Sequence, residues 1–384
     1  MQNFVTHPAK WLSRLVQIPS VNPLHSSGKT EIAGEGRIAA EIAQWFRDLG
    51  GETTVEIAAP ERPNVYGIWR GSSNRWVAVD VHTDTVGVAQ MPGNPFSGDI
   101  HDGKVWGRGA VDDKASLATI LAVLEIMQAK HITPEANIVI GATVDEEEGG
   151  PGPRKFAAWL KQNGILADLV VAEPTGCAPC YGHKGAVRCT YTTRGVATHT
   201  SQPELGRNAI SAMIPVIQAL EAEHTRLCAC PPSATGRATL TVSMIHGGRA
   251  FNIVPDACTI SVDRRVVAGE RATDVARQLE EIVRAASPAP VDIQQSLCEN
   301  AFYQPADSEI VQQFSAWSGQ SPITVPYGSN AFAYGGGVVK SCVVLGPGSI
   351  DQAHGAEEWV EIKQLETLAG IYARWWGVKS LESS

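Results

Sequence analysis

Three short segments of the sequence carry histidine and carboxylate side chains, the residue types that commonly bind divalent metal ions. They are Val79-Asp-Val-His82-Thr-Asp84, Gly107-Arg-Gly-Ala-Val-Asp112-Asp113 and Asp145-Glu146-Glu147-Glu148. Four consecutive carboxylates repel one another, so the third segment is either a solvated loop or part of a site that holds cations. Each segment alone also fits an ordinary structure, namely a hydrogen-bonded His-Asp pair, a helix cap or an acidic surface loop.

The first and third segments lie at the ends of predicted β-strands, and two more candidate ligands do the same; the second segment is predicted as a glycine-rich turn before a helix. The strands are predicted from their apolar runs at 76–81, 137–144, 168–172 and 341–345. Glu173 follows the third strand, and His354 lies in the loop after the fourth. In open α/β sheets, ligands collect where the strands end. The sequence therefore predicts that these side chains converge at one edge of a sheet.

His82 and Asp84 have the spacing of a metal ligand and its supporting carboxylate. Residues two apart on an extended chain point to the same face. His82 would bind the metal through one ring nitrogen, and Asp84 would accept a hydrogen bond from the other. Such a partner fixes the tautomer and makes the imidazole more basic.

The predicted elements indicate two domains. Helices near 37–50 and 117–127 alternate with the strands of the first half, which is typical of an α/β sheet. After residue 178 the order becomes β-α-β-β-α-β, the ferredoxin-like arrangement. Its strands are predicted near 186–193, 238–245, 258–264 and 291–295, and its helices near 208–222 and 274–286. A final helix is predicted near 362–376.

We therefore predict a discontinuous larger domain and a smaller domain inserted into it. The larger one would consist of residues 1–178 and 297–384, and the smaller one of residues 179–296. The chain has 384 residues, which is too long for one ordinary core and fits two domains of common size.

The net charge and the apolar pattern argue against some classes of partner. There are 40 acidic and 31 basic residues, so the formal charge of −9 disfavours nucleic acid and anionic membranes as partners. Residues 1–20 contain no signal-peptide pattern, and no later stretch is apolar for long enough to cross a bilayer. We expect a cytoplasmic protein that acts on small molecules, with its eight cysteines as free thiols.

Taken together, the segments resemble the M20 family of metallopeptidases and deacylases, and within it the acetylornithine deacetylase and succinyl-diaminopimelate desuccinylase group. The resemblance extends over nearly the full length. It is carried by His82-Thr-Asp84, Gly107-Arg-Gly-Ala-Val-Asp112, Asp145-Glu146-Glu147, Glu173-Pro-Thr175, Gly195-Val-Ala-Thr-His199, Asn252-Ile-Val-Pro255 and Gly346-Pro-Gly348 through His354. It implies an α/β, zinc-peptidase-like catalytic domain with a mixed sheet flanked by helices. The inserted ferredoxin-like α+β domain would act as a lid and dimerisation domain.

The resemblance also implies two divalent metal ions, with zinc expected first and cobalt as the alternative. Asp112 would bridge the two ions. His82 and Glu173 would complete one site, and Glu147 and His354 would complete the other. Three carboxylates and a bridging hydroxide balance two divalent cations, and nitrogen and oxygen donors of this kind suit zinc or cobalt better than calcium.

The remaining functional residues are implied by the same resemblance. Glu146, next to a ligand, would be the general base that takes a proton from the attacking water. His199 matches the family histidine that reaches the site from the partner subunit and stabilises the oxyanion. Asn252 and Arg265 match residues that hold the substrate carboxylate, and a guanidinium suits that task.

Several assignments stay open. The acidic run allows a slip of one residue, with Glu147 as the base and Glu148 as the ligand. The neighbouring Arg264 competes for the role of carboxylate binder. The segment that follows His354 departs from the family pattern, which implies a changed pocket edge. Gly328-Ser-Asn330 stands where relatives often carry an acid, so that loop does not support a substrate assignment.

The implied reaction is hydrolysis of the amide bond of an N-acyl amino acid. The segment from Leu345 to His354 resembles acetylornithine deacetylases more than desuccinylases. The first expected substrate is therefore N-acetylornithine or a related N-acetyl amino acid, with a place in arginine biosynthesis, and the enzyme is expected to be a homodimer. A di- or carboxypeptidase of the family and a succinyl-diaminopimelate desuccinylase-like enzyme are the alternatives.

Functions from other classes fit the sequence less well. Ser26-Ser-Gly28-Lys29-Thr30 ends like a phosphate-binding loop, but Pro23 stands where that loop requires its first glycine. The Gly-x-Ser-x-Gly elbow of many serine hydrolases is missing. A metal-binding scaffold without turnover is disfavoured because the base and all five ligands are present.

Overall fold

The computed structural model describes residues 7–378, which form two compact units. The first unit extends to residue 181 and also contains residues 304–323 and those from 329 onward. The second unit contains residues 182–303 and 324–328. The outer ends of the larger predicted domain, residues 1–6 and 379–384, lie outside the described residues.

Helices and strands alternate along most of the chain. The helices are α1 (Pro8–Val16), α2 (Gly36–Asp48), α3 (Lys114–Ala129), α4 (Pro151–Gln162), α5 (Ala209–Ala229), α6 (Ala272–Ala286), α7 (Glu309–Ser318) and α8 (Ile362–Trp376). The strands are β1 (Glu52–Ala59), β2 (Arg62–Trp69), β3 (Trp76–His82), β4 (Ile100–His101), β5 (Lys104–Trp106), β6 (Asn137–Thr143), β7 (Asp168–Val171), β8 (Cys180–His183), β9 (Gly185–Arg194), β10 (Thr239–Gly247), β11 (Ala257–Val266), β12 (Val291–Glu299), β13 (Phe302–Tyr303), β14 (Ile323–Val325), β15 (Ser341–Val344) and β16 (Trp359–Glu361).

A mixed sheet forms the centre of the first unit, in the order β1-β2-β6-β3-β7-β15. β3 runs parallel to β6 and β7, and β15 runs parallel to β7, whereas β1 and β2 are antiparallel. The central strands are buried along nearly their whole length, which explains why their sequences are continuous apolar runs. Because parallel strands point the same way, their carboxyl ends lie at one edge of the sheet.

Helices cover both faces of this sheet, which confirms the α/β class predicted from the sequence. A Cβ atom at Gly67 would lie 2.7 Å from the ring of Phe46 in α2, and one at Gly141 would lie 2.5 Å from the ring of Phe156 in α4. Gly141 pairs with Tyr66, the neighbour of Gly67, so the two glycines face opposite sides of the sheet. Helices α2 and α4 therefore pack on opposite faces.

A small antiparallel sheet of β4, β5 and β16 connects two loops of the first unit. Trp106, the last residue of β5, pairs with Trp359, the first residue of β16. The loop that contains Asp112 follows β5, and the loop that contains His354 precedes β16. The strand pairing therefore brings these two loops together.

The second unit has a four-stranded antiparallel sheet in the order β10-β11-β9-β12. Helices α5 and α6 pack against it and against each other. Alternate residues of β11 are buried, as expected for a sheet with one covered face. With β9 as the first strand, this is the ferredoxin-like order predicted from the sequence.

Some elements differ from their predicted extents. Strand β12 continues to Glu299, beyond the predicted end at 295. The prediction stopped early because a bulge between Gln295 and Leu297 interrupts the alternation of side chains by which a strand is recognised. Helix α5 continues to Ala229 rather than ending near 222, although Pro215 lies in its interior. The β1–β2 hairpin and helix α4 were not predicted.

The longest helix, α5, has 21 residues, and its second half contains several charged side chains, which do not suit the interior of a bilayer. Within residues 7–378, no helix has the length and apolar character needed to cross a bilayer. The eight cysteines all lie in this range, and none forms a disulfide.

Candidate metal centre

The ends of four strands in the first unit deliver four of the five candidate ligands predicted from the sequence. His82 is the last residue of β3, and the acidic run follows β6, whose end pairs with His82 through Thr143. Glu173 comes two residues after β7, and His354 lies in the loop after β15. The register of the parallel strands therefore places these segments at one edge of the sheet.

Asp112 lies between the two histidines. Its Oδ1 atom is 2.8 Å from Nε2 of His82, and its Oδ2 atom is 3.0 Å from Nε2 of His354. The residue is 6% exposed, and the peptide bond to Asp113 is cis. Each oxygen of one buried carboxylate thus faces a different imidazole, as expected of a ligand that bridges two ions.

The candidate side chains form two groups of three. In each group, one nitrogen or oxygen atom per residue lies within 4.8 Å of those of the other two residues. The groups are His82, Glu146 and Glu173, and Asp112, Glu147 and His354. The geometry therefore brings together all five predicted ligands, and it also places the predicted base, Glu146, within the first group.

The electrostatics of this cluster favour a bound cation. Burial raises the pKa of Glu173 well above its ordinary value, and the neighbouring carboxylates of Glu146 and Asp112 raise it further. Burial also raises the pKa of Glu146, and His82 only partly opposes this effect. The charged forms of these acids are therefore disfavoured unless positive charge is added.

The donor set also fits a metal ion. The Glu147 side chain is only 6% exposed, and its buried Oε1 atom has no hydrogen-bond partner among the described residues. Hydrogen bonds to Asp112 and Glu147 raise the pKa of His354 to about 10. In the metal-free protein a proton on His354 thus lies where a cation would neutralise the carboxylates of Asp112 and Glu147. Imidazole nitrogen and carboxylate oxygen are common zinc donors.

Asp84 supports three candidate residues at once. Its backbone carbonyl is 3.1 Å from Nδ1 of His82, whereas its carboxylate is 3.5 Å away, so the carbonyl is the nearer acceptor. The carboxylate instead accepts the backbone N–H groups of Glu146 and Glu147 at 3.0 and 3.2 Å. Asp84 therefore positions the acidic run as well as the histidine. Its partnership with Glu146 and Glu147 was not predicted.

Hydrogen bonds keep Asp84 ionised although it is fully buried. Burial acts to raise the pKa of its carboxyl group, but the adjacent His82 imidazole and the hydrogen bonds from Asn22 and the Glu146 N–H outweigh that effect, and the pKa lies below its ordinary value. Nδ2 of Asn22 donates to Asp84 at 2.9 Å and to Asp145 at 2.8 Å. Asn22 thereby joins the end of β3 to the start of the acidic run.

A buried ion-pair network holds the first residue of the acidic run. Nε and Nη2 of Arg62 each donate to a carboxylate oxygen of Glu35 at 2.6 Å, and Nη2 also lies 2.6 Å from Asp145. The Glu35 side chain is 0% exposed, and it also accepts the backbone N–H of Asp145. Asp145 has a left-handed φ of 66°, which these contacts stabilise.

Replacing Arg62 by methionine is expected to destabilise the first unit strongly. The change leaves Glu35 and Asp145 without their cation, and an unpaired buried charge costs about 3–5 kcal/mol. Urea unfolding of the metal-free protein measures the loss. Arg70→Met is the matched control, because the exposed pair of Arg70 and Glu52 should contribute less than about 1 kcal/mol. Equal losses in the two variants would contradict the expectation.

Glu148 points away from both groups. Its carboxylate lies 2.5 Å from Nε2 of His25, and the side chain is 36% exposed. Glu147, by contrast, lies 3.2 Å from His354. The structure therefore brings Glu147 into the cluster and leaves Glu148 at its outer side.

Three predicted residues lie in the second unit. His199 is exposed, and its Nδ1 accepts the backbone N–H of Ser201 at 3.1 Å. A nitrogen that accepts this bond carries no proton, so the neutral imidazole holds its proton on Nε2. Asn252 is also exposed. Its backbone carbonyl accepts the N–H of Thr200, so Asn252 lies next to the segment that contains His199.

The two competing arginines have different surroundings. Arg264 is 2% exposed and pairs with Glu270 at 2.6 Å. Arg265 is half-buried, and its Nε lies 2.8 Å from Asp263. Arg264 is thus committed to a buried ion pair, and Arg265 is the more accessible guanidinium.

Sequence reasoning missed several residues that support the cluster. Asn22, Glu35 and Arg62 have no local signal, because their partners are distant in sequence. Glu358 belongs to the segment expected to change the pocket edge. Residues 356 and 357 are exposed there, but Glu358 turns inward and is buried. Asn330 is also buried and donates to Thr143 at the end of β6.

Comparison with known proteins identifies the family. The model of Peptidase family M20/M25/M40 matches residues 78–377. A protein of Paracoccidioides brasiliensis (strain Pb03), named a probable carboxypeptidase, is 30% identical over 374 residues, covering 88% of this chain and 80% of the relative.

Two solved structures share the fold. One is titled an M20 family metallo-carboxypeptidase, Sso-CP2, from Sulfolobus solfataricus, with a TM-score of 0.77, 16% identity and coverage of 95% of this chain and 97% of that chain. The other is the YXEP protein of Bacillus subtilis, titled a dinuclear metal binding peptidase from the M20 family, with a TM-score of 0.68, 14% identity and 98% coverage of both chains. Because the family model spans most of its length, this chain belongs to peptidase family M20/M25/M40.

Proposed function

We propose that this protein uses two divalent metal ions to hydrolyse the amide bond between an acyl group and an amino acid with a free carboxylate. The observation that carries the proposal is the position of Asp112, whose two oxygens face His82 and His354. Membership of a peptidase family supports the same class of reaction.

The contacts of the cluster support the ligand set that the family resemblance implies. Asp112 would be shared, His82 and Glu173 would hold one ion, and Glu147 and His354 the other. Zinc is the first candidate, and cobalt is the alternative. When bound, such ions supply polarisation of the scissile carbonyl and a water of lowered pKa.

Glu146 is the proposed general base. Its carboxylate lies beside His82 and Glu173, and its backbone N–H is fixed by Asp84. From this position it would accept a proton from the attacking water and pass it to the leaving amine. The outward position of Glu148 supports this register of the acidic run over the slipped one.

Two substrate types share the scissile bond of this proposal. With an acetyl group the reaction is deacetylation, and N-acetylornithine is the first candidate because the segment from Leu345 to His354 resembles acetylornithine deacetylases. With a peptide as the acyl part the reaction is that of a carboxypeptidase, which the name of the fungal relative favours. Both substrates carry a carboxylate that Asn252 and Arg265 are proposed to bind.

A substrate screen on protein of measured zinc content tests the proposed function. N-acetylornithine, N-succinyl-diaminopimelate and dipeptides are supplied, and the released amino acid is quantified. We expect turnover of at least one class, its loss on chelation and its recovery when zinc is restored. Turnover that survives chelation contradicts the metal mechanism. A zinc-loaded protein without any turnover would instead be a metal-binding scaffold.

The second unit is the proposed dimerisation surface. Strand β10 lies at the end of its sheet, where its outer backbone groups are available for pairing. Met244 and Ile245 on this strand are 54% and 55% exposed, and Ile210 and Ile214 of α5 are 37% and 51% exposed. Apolar side chains beside an open strand edge support the proposal that a second copy binds there.

Mixing two inactive variants tests whether His199 acts across such a dimer. His199→Ala and Glu146→Gln are each expected to lower turnover. After subunit exchange, half of the dimers are mixed and each has one intact site, so activity should recover to about one quarter of the wild-type value. No recovery, with exchange verified by a tag on one variant, would place His199 in its own subunit's site or in none.

A further inference from the structure

A buried carboxylate holds the loop that carries Asp112. Glu358 is 1% exposed, and its Oε1 atom accepts the backbone N–H groups of Val111 and Asp112 at 3.0 and 3.2 Å. Its Oε2 atom lies 2.5 Å from Nη1 of Arg108, which is 2% exposed. Hydrogen bonds to an ionised acceptor are stronger than neutral ones, so this carboxylate fixes the backbone at Asp112.

The same ion pair extends to the loop that carries His354. Nη2 of Arg108 donates to the carbonyl of Gly355, the residue after His354, at 3.1 Å. The N–H of Gly107 donates to the carbonyl of Glu358 at 3.0 Å. One guanidinium and one carboxylate therefore join the two loops whose side chains meet at 3.0 Å between Asp112 and His354.

We propose that Arg108 and Glu358 form a positioning clamp that sets the separation of Asp112 and His354 and thereby the metal affinity of the group formed by Asp112, Glu147 and His354. The proposal rests on the function proposed above. Both residues act through backbone atoms, so they are positioning residues. A planar guanidinium suits this task, because its separate N–H groups hold Glu358 and the carbonyl next to His354 at the same time.

The clamp should act unequally on the two groups of candidate ligands. His82 ends β3 and Glu173 follows β7, so the paired strands of the sheet hold both. His354, in contrast, lies in a long loop between β15 and β16 and is exposed. An intact buried ion pair adds little net stability, because desolvation offsets the attraction between the charges, although removal of one partner alone is costly. The main effect of the clamp is therefore on the geometry of the loop-borne group.

Zinc titration of clamp variants tests the proposal. Arg108→Lys keeps the charge beside Glu358 but has no fixed fork for two acceptors, and Glu358→Gln keeps the size of the side chain but loses its charge. We expect the affinity for one of two zinc ions to fall by about 10–100-fold while the affinity for the other, whose remaining ligands are held by the sheet, falls by less. Zinc above the raised Kd should restore kcat with KM unaltered.

Asn137→Ala is the matched control for a general loss of stability. Asn137 is the first residue of β6, at the end of the strand opposite to the acidic run. Its side chain donates to the backbone carbonyl of Ser73, and the residue is 8% exposed. The control should lower the urea midpoint of the first unit without changing either zinc affinity.

A folded Arg108→Lys or Glu358→Gln protein with both affinities at wild-type values overturns the clamp and leaves the proposed function intact. Equal loss of both ions, in the control as well, reduces the pair to a structural role and also overturns it. Wild-type protein that binds neither zinc nor cobalt overturns the proposed function itself.

Discussion

Glu146→Gln is expected to retain the metal ions and to lose about 10²–10⁴-fold in turnover. Glutamine keeps the shape of the side chain and an oxygen atom beside His82 and Glu173, but it cannot accept the proton of the attacking water. Metal content by mass spectrometry and steady-state kinetics on the best substrate of the screen measure the two effects separately. The loss should appear in kcat, because proton transfer belongs to the chemical step.

The neighbouring glutamates are the controls for this prediction. Glu148→Gln should keep wild-type turnover, because Glu148 contacts His25 outside both groups. Glu147→Gln should lose metal, because Glu147 lies beside His354 in the second group. If the Glu147→Gln variant keeps both ions and the Glu148→Gln variant loses one, Glu148 rather than Glu147 is the metal ligand. Wild-type turnover in Glu146→Gln would remove Glu146 from the role of base.

Asp112→Asn is expected to weaken both metal sites together. The carboxylate contacts His82 through one oxygen and His354 through the other, whereas an amide offers a single oxygen and no charge. Because even residues that only support ligands contribute about 10–100-fold to metal affinity, the loss of a shared ligand should exceed about 100-fold at each site. Equilibrium titration with zinc against a chelator of known affinity measures both constants.

His354→Ala provides the comparison for the shared ligand. His354 belongs only to the group with Asp112 and Glu147, so its loss should weaken one ion and spare the other. The same pattern of loss in Asp112→Asn, with one ion unaffected, would show that Asp112 does not bridge the sites.

The residues at strand ends could be predicted because each follows a continuous apolar run. Buried strands such as β3 and β7 are apolar along their length, so His82 and Glu173 stand out where the runs end. Because these strands pair in parallel, their carboxyl ends lie at the same edge of the sheet. The convergence of His82, Glu147, Glu173 and His354 follows from this rule of topology, whereas the pairing of β5 with β16 brings Asp112 to them.

The supporting network could not be predicted because its contacts are long-range. Arg62 and Glu35 are 27 residues apart, and Arg108 and Glu358 are 250 residues apart. Neither pair has a periodic pattern or a motif that specifies its partner. Asp84 was predicted to support His82, and its carboxylate lies 3.5 Å from Nδ1 of that histidine. Its hydrogen bonds from the N–H groups after β6 were not predicted, because they depend on the pairing of β3 with β6.

Anomalous diffraction from zinc-loaded crystals tests the central claim most directly, because it locates each ion relative to Asp112. We predict two peaks at the zinc edge, about 3.5–4 Å apart, one on each side of the Asp112 carboxylate. His82 should lie beside one peak and His354 beside the other. A single peak, or zinc bound elsewhere in the chain, would contradict the shared site on which the proposed reaction depends.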